Sequence, residues 1–108
     1  MSKDYVTLRK WDLESIISND GYASRDGKCY YKSETRILEA NGYKRYCSCV
    51  FFCYDEVTGE PVHYIFYYDY DEYEDEFTIR CTQVEDPVKG FIRYMIRKAD
   101  SRNTVEYY

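Results

Sequence analysis

Tyr43 to Tyr54 is rich in aromatic, Val and Cys residues and contains no Pro or Gly. Pro61 to Tyr68 is similar, and the polar connection Asp55-Glu56-Val57-Thr58-Gly59-Glu60 joins the two. Two strand-forming segments separated by a short polar link with Gly near its end predict a β-hairpin with long arms. Phe77 to Val84 reads as a third strand. Phe77, Ile79 and Cys81 alternate there with Thr78, Arg80 and Thr82.

Helical spacing brackets this hairpin. Leu8, Trp11, Leu13, Ile16 and Ile17 suit a short amphipathic helix, with Thr7 as its cap and Ser18-Asn19-Asp20-Gly21 as its stop. Asp26-Gly27, flanked by Tyr22 and by Cys29-Tyr30-Tyr31, predicts a tight turn in a small hairpin. Ser33 followed by Glu34 resembles a helix start, and Asn41-Gly42 a helix stop, so a short helix is expected over Glu34 to Ala40.

Asp86-Pro87 opens the last helix, because Asp is a preferred N-cap and Pro a preferred first helical residue. Val88, Phe91, Ile92, Met95, Ile96 and Ala99 fall on one stripe, expected to pack on the sheet. Lys89, Arg93, Arg97 and Lys98 lie on the other side. The tail from Asn103 to Tyr108 reads as an edge strand or a loose end. The expected fold is therefore α+β. One domain over residues 1–108 carries an antiparallel sheet of three to four strands, with two to three helices mainly on one face. Because both faces of the hairpin are apolar, the second face needs a cover or a partner.

Five cysteines, an odd number, read as free thiols in a reducing compartment. Cys47, Cys49 and Cys53 do not form a zinc knuckle. On a strand they share one side with Phe51, which predicts packing beneath a helix. The lone histidine, His63, sits across the hairpin from Cys53, but nothing in the sequence supplies an orienting residue or an oxyanion hole. Phosphate-loop, dinucleotide, metalloprotease and nucleophile-elbow motifs do not occur. Neither catalysis nor a metal or cofactor is expected. The first residues, Met-Ser-Lys-Asp-Tyr, lack an apolar segment, and Val50 to Tyr54 is too short to span a bilayer. The expected location is cytoplasmic, with no membrane partner.

The charge is lopsided. Tyr54 to Asp86 holds eleven acids and one base, a net of −10 in a chain of net charge −5, so the remainder is positive. The acids concentrate in Tyr67, Tyr68, Asp69, Tyr70, Asp71, Glu72, Tyr73, Glu74, Asp75 and Glu76. The DNA backbone is a regular line of negative charge beside flat aromatic surfaces. Alternate acids on a strand stand roughly 6–7 Å apart, close to the spacing of phosphates along one strand. The tyrosines would stack on arginines of a partner.

In size, acidity and this Asp/Glu/Tyr cluster the chain resembles small phage-encoded inhibitors, anti-CRISPR proteins and other DNA mimics. The resemblance implies a cytoplasmic inhibitor that occupies the basic nucleic-acid-binding surface of a target protein. It carries over no residue roles. The same stretch reads otherwise as a solvated connection between strands. The alternative functions are an adaptor or homodimer built on exposed tyrosines, and direct nucleic-acid binding through Lys89, Arg93, Arg97, Lys98 and Arg102. Direct binding runs against the net charge.

Overall fold

A computed structural model describes residues 5–19, 21–24 and 27–106. The chain runs β1 (Tyr5–Thr7), α1 (Lys10–Ser18), β2 (Gly21–Ala23), β3 (Cys29–Asn41) and β4 (Lys44–Tyr54). It continues with β5 (Pro61–Asp71), β6 (Glu76–Ile79), β7 (Gln83–Glu85) and α2 (Pro87–Glu106). The strands form one antiparallel sheet in the order β1-β7-β5-β4-β3-β2, with β6 beside β5. The sheet curls into a half-barrel. The α+β class is as expected; the sheet is larger.

The long hairpin is β4–β5, paired without a break from Lys44↔Asp71 to Tyr54↔Pro61. Its turn is built by Asp55, whose carboxylate accepts the N–H groups of Val57 and Thr58 at 2.8 and 2.9 Å. Gly59 takes the left-handed conformation there, φ +74°. The third predicted strand is two: β6 stops at Ile79, and β7 pairs with β1.

The helix expected over Glu34 to Ala40 is instead the second half of β3. Nine residue pairs join β3 to β4, with bulges between Lys32 and Glu34 and between Ile37 and Glu39. Ser33 is thus an extra residue in a strand, not a helix cap. Each bulge breaks the two-residue alternation that marks a strand. Asn41-Gly42 closes the β3–β4 hairpin, with Gly42 at φ +62° between the paired Asn41 and Lys44. The β2–β3 hairpin forms as expected, although Arg25 and Asp26 of its turn lie outside the described residues.

Alternation divides the hairpin into two faces. On the inner face Cys47, Cys49, Phe51 and Cys53 lie beside Phe66 and Tyr68, and all are buried. Leu13 and Ile16 of α1, both 0% exposed, complete this core with Tyr30, Ile79 and Val84. Burying Leu13 and Ile16 contributes roughly 1.5–3 kcal/mol each before ordering entropy.

The start of α1 is fixed not by Thr7, which lies in β1, but by Arg9 and Asp12. The Arg9 backbone N–H donates to Asp12 at 3.2 Å, and the guanidinium donates twice, at 2.7 and 2.9 Å. The Tyr22 hydroxyl adds a bond to Asp12 at 2.9 Å. Lys32 donates to the Ile17 carbonyl at 3.1 Å, placing a cation at the negative end of the helix.

The Arg9 guanidinium above all, helped by the Tyr22 hydroxyl and the Arg9 backbone N–H, holds the Asp12 carboxyl below its ordinary 3.8, against the opposing effect of burial. A folded-state value below the unfolded one gives stability that is present above about pH 4 and is lost as pH falls through the folded value. Asp12→Asn should therefore cost about 1–2 kcal/mol near neutral pH, discounted because Arg9 is partly exposed. Thermal melts of both proteins from pH 7 to pH 2.5 should converge below about pH 4. A gap that stays constant to the acid end would remove Asp12 as the source.

The two helices lie on opposite faces of the sheet, not mainly on one. The start of α2 rests on the outer face. Asp86 caps it, accepting the N–H groups of Val88 and Lys89 at 2.9 and 3.2 Å, and Pro87 is its first residue. Tyr94 stacks on Tyr46 and Tyr67, with ring centres 6.1 and 6.2 Å away. Gly90 is buried against Ile65 and Tyr67. The expected apolar stripe exists but points away from the sheet. Val88, Phe91, Ile92, Met95 and Ile96 are 47–66% exposed. The docking face is set by Gly90, where the helix backbone comes close to Ile65 and Tyr67, and by the tyrosine ring one turn later. The tail, expected from Asn103 as an edge strand or a loose end, is helical as far as Glu106, where α2 ends; residues 107 and 108 lie outside the described residues.

Candidate partner-binding surface

The acidic tyrosine stretch is neither a single extended strand nor a free loop. Tyr67 to Asp71 belong to β5, Glu72 to Asp75 form a turn, and Glu76 begins β6. In β5 the side chains alternate between faces. Tyr68 is buried in the core, and burial pushes its phenol well above the ordinary range. Tyr67 lies beneath α2, where burial raises its phenol to about 12. Neither ring is offered to a partner as the sequence suggested. Tyr70 is half-buried and donates its hydroxyl to Asp75.

Several of the acids are neutralised within the fold. Lys44 reaches Asp71 at 2.7 Å, Arg45 reaches Glu72 at 3.0 Å, and Arg80 Nε lies 2.5 Å from Asp69 Oδ2. The last is an ion pair without hydrogen-bond alignment, since that Asp69 oxygen has no hydrogen-bond partner among the described residues. Asp71 also builds the turn, accepting the N–H groups of Tyr73 and Glu74 at 2.9 and 3.1 Å. The Lys44 ammonium and these N–H groups lower its carboxyl, and Asp71 in turn raises Lys44. Asp75 takes the left-handed conformation at φ +55°, which Asp tolerates better than most residues.

What remains is a rigid tip made of two turns. The β3–β4 turn and the β5–β6 turn lie side by side, because the Glu72 N–H donates to the Tyr43 carbonyl at 2.9 Å. Arg45 clamps both: it donates to the carbonyls of Gly42 and Lys44 at 2.6 and 3.0 Å and to the Glu72 carboxylate. Tyr43 and Tyr73 meet at 5.3 Å and tilt by 47°. They are 61% and 76% exposed. Glu74 follows Tyr73 in the turn and Glu76 begins β6; both are exposed, and neither is held in an ion pair among the described residues, although the charge of Glu74 helps to raise Lys44. Five carboxylates at the tip, Asp71, Glu72, Glu74, Asp75 and Glu76, face two cations, Lys44 and Arg45. Tyr43, Lys44 and Arg45 were missed as members of this site. They lie some thirty residues away in sequence, and only the pairing of β4 with β5 reveals them.

Elsewhere the chemistry is muted. A groove of about 740 Å³ runs between α2 and the outer face, lined by Arg80, Arg93 and Arg97 and by Glu39, Asp69 and Glu85 among others. Two of its arginines are held internally, Arg80 by Asp69 and Arg93 by Glu85. Cys53 and His63 fall on opposite faces of the hairpin, since Cys53 pairs with Val62 and Phe52 with His63. Burial raises the Cys47 and Cys53 thiols and pushes Cys49 to about 12, which disfavours the reactive thiolate at all three, and each is packed in the core. Among the described residues no three His, Cys, Asp or Glu side chains are grouped to hold a metal, and no helix is long and apolar enough to cross a membrane.

Compared with known proteins, the chain matches no family model, no curated protein and no solved structure.

Proposed function

We propose that the protein acts by binding rather than catalysis. Its two-turn tip docks on the basic, nucleic-acid-binding surface of a target protein and blocks it, as a DNA-mimicking phage inhibitor would. One observation carries this reading: the rings of Tyr43 and Tyr73 pair and are exposed at a tip that also carries Glu74 and Glu76, both exposed and held in no ion pair among the described residues. Rings of this kind stack on guanidinium groups, and carboxylates next to them accept the guanidinium hydrogens. A preformed tip also loses little entropy on docking, because Arg45 and the Glu72 N–H already hold the two turns together.

The internal ion pairs decide which acids to test. Changing Asp71 would unmake the turn, so a loss of binding there would say nothing about recognition. The informative variant is Tyr73→Ser with Glu74→Gln and Glu76→Gln, all exposed and outside the clamp. Native and variant proteins are immobilised and exposed to bacterial lysate, and the captured proteins are identified by mass spectrometry. The expected result is a nucleic-acid-binding protein that the native bait retains, that the folded variant does not, and that duplex DNA or RNA displaces. Equal capture by both baits, or capture that nucleic acid does not disturb, would overturn the proposal.

A further inference from the structure

Nothing in the fold of the single chain covers the exposed stripe of α2 among the described residues. Five large apolar side chains, each about half exposed or more, project directly opposite the face that docks on the sheet. Val88, Ile92, Met95 and Ala99 are spaced four, three and four residues apart, which is the seam of a coiled-coil heptad. Phe91 and Ile96 flank the seam on either side. Isolated exposed apolar residues need no explanation, but a continuous stripe on a helix does.

We infer that this stripe is covered by the same stripe of a second copy, so that the protein is a two-fold dimer through α2. Three observations favour a second copy over other occupants. First, the stripe is self-complementary in an antiparallel pairing. Ile92 of one helix meets Met95 of the other, and Val88 meets Ala99, so that large residues face small or flexible ones. Second, five side chains of these exposures leave on the order of 500 Å² per copy, so a pair would bury about 1,000 Å², the lower bound for a specific interface. Third, the stripe points away from its own sheet, so a second copy can cover it in the order sheet, helix, helix, sheet. That arrangement gives α2 the second packing layer it lacks in the single chain. The seam shares no residue with the two-turn tip, so separate variants test the two.

The test is the molar mass of the full chain, by sedimentation and by light scattering after gel filtration, at 50 and 500 mM salt. Twice the 13.1 kDa chain mass is expected at both, because apolar burial is not screened. Ile92→Asp should weaken association about 100-fold or more. Phe91→Asp, beside the seam, gives a second and independent reading, and circular dichroism of each variant reports whether it has folded. A native protein that is monomeric at about 100 µM would overturn the inference, as would a dimer that survives both substitutions in folded variants. Vesicles containing phosphatidylserine test the competing cover for an amphipathic helix with lysines and arginines at its flanks. A monomer that adsorbs to them at low salt and is released at high salt would replace the dimer with a membrane surface.

Discussion

Phe51→Ala should lower the stability of the domain by about 3–5 kcal/mol, the largest effect expected of any single truncation in this chain. Phe51 is 0% exposed and central to the inner face. Its ring meets those of Tyr30, Tyr64 and Phe66 at 5.7, 5.7 and 5.8 Å. Alanine would remove the apolar area of a whole phenyl group and leave a void beneath α1 that rigid strands cannot close. Domains of this size have roughly 5–15 kcal/mol in total, so the loss should take a large part of it and drop the melting temperature by about 15–25 °C.

The neighbouring residue is the control. Phe52 points to the outer face, half-buried, and stacks on Tyr31 at 5.3 Å. Phe52→Ala should cost less than about 1.5 kcal/mol, because the void it leaves opens to water. Urea unfolding of both variants, with slopes unchanged from the native protein, checks the pair. Equal costs at the two positions would mean that the assignment of inner and outer faces is wrong.

That contrast rests on the part of the fold most legible in the sequence. Residues 44–54 pair with residues 61–71 without a bulge, so alternation along the chain is alternation in space. The placement of Cys47, Cys49, Phe51 and Cys53 on one buried face follows directly, as does the helix cap at Asp86-Pro87. β3 was hidden for a physical reason. Its bulges shift the pattern twice, at Ser33 and Leu38, and Glu34, Arg36, Leu38, Glu39 and Ala40 are all good helix formers. Pairing along β4 overrides that preference, and a single sequence does not display the pairing.

The acidic stretch was legible as a cluster but not as a geometry. Its cations come from other strands, Lys44 and Arg45 from β4 and Arg80 from the segment after β6. Neutralisation of Asp69, Asp71 and Glu72 therefore depends on topology rather than on local sequence. Of the ten consecutive residues it leaves Tyr73, Glu74 and Glu76 for the proposed surface, and topology adds Tyr43 beside Tyr73. The buried Tyr68 and the covered Tyr67 show the same limit. Their sequence neighbours are acids, while their neighbours in space are Phe66 and Phe77 for one ring and Tyr46 and Tyr94 for the other.

In α2 periodicity located the apolar stripe correctly but assigned it to the wrong side, and Gly90 is the residue that decides the matter. Gly90→Val should destabilise the protein by about 3 kcal/mol, although valine is by itself a better helix residue than glycine by a few tenths. A Cβ at this position would lie 2.6 Å from Ile65 Cγ2 and 3.3 Å from both Glu85 Oε1 and the Tyr67 hydroxyl oxygen. Ile65 is itself buried in the long hairpin and cannot swing aside, so the helix must lift or the strand must bend. Lifting the helix would separate Tyr94 from Tyr46 and Tyr67 and part Arg93 from Glu85. Gly90→Ala meets the same first contact with fewer atoms and should cost about 1 kcal/mol, its gain in helix preference outweighed by the clash. Hydrogen exchange separates undocking from general weakening, because the amides of α2 should lose protection before those of β4 and β5. A more stable Gly90→Ala protein would show that α2 does not lie this close to the sheet, and the outward-facing stripe would then have no basis.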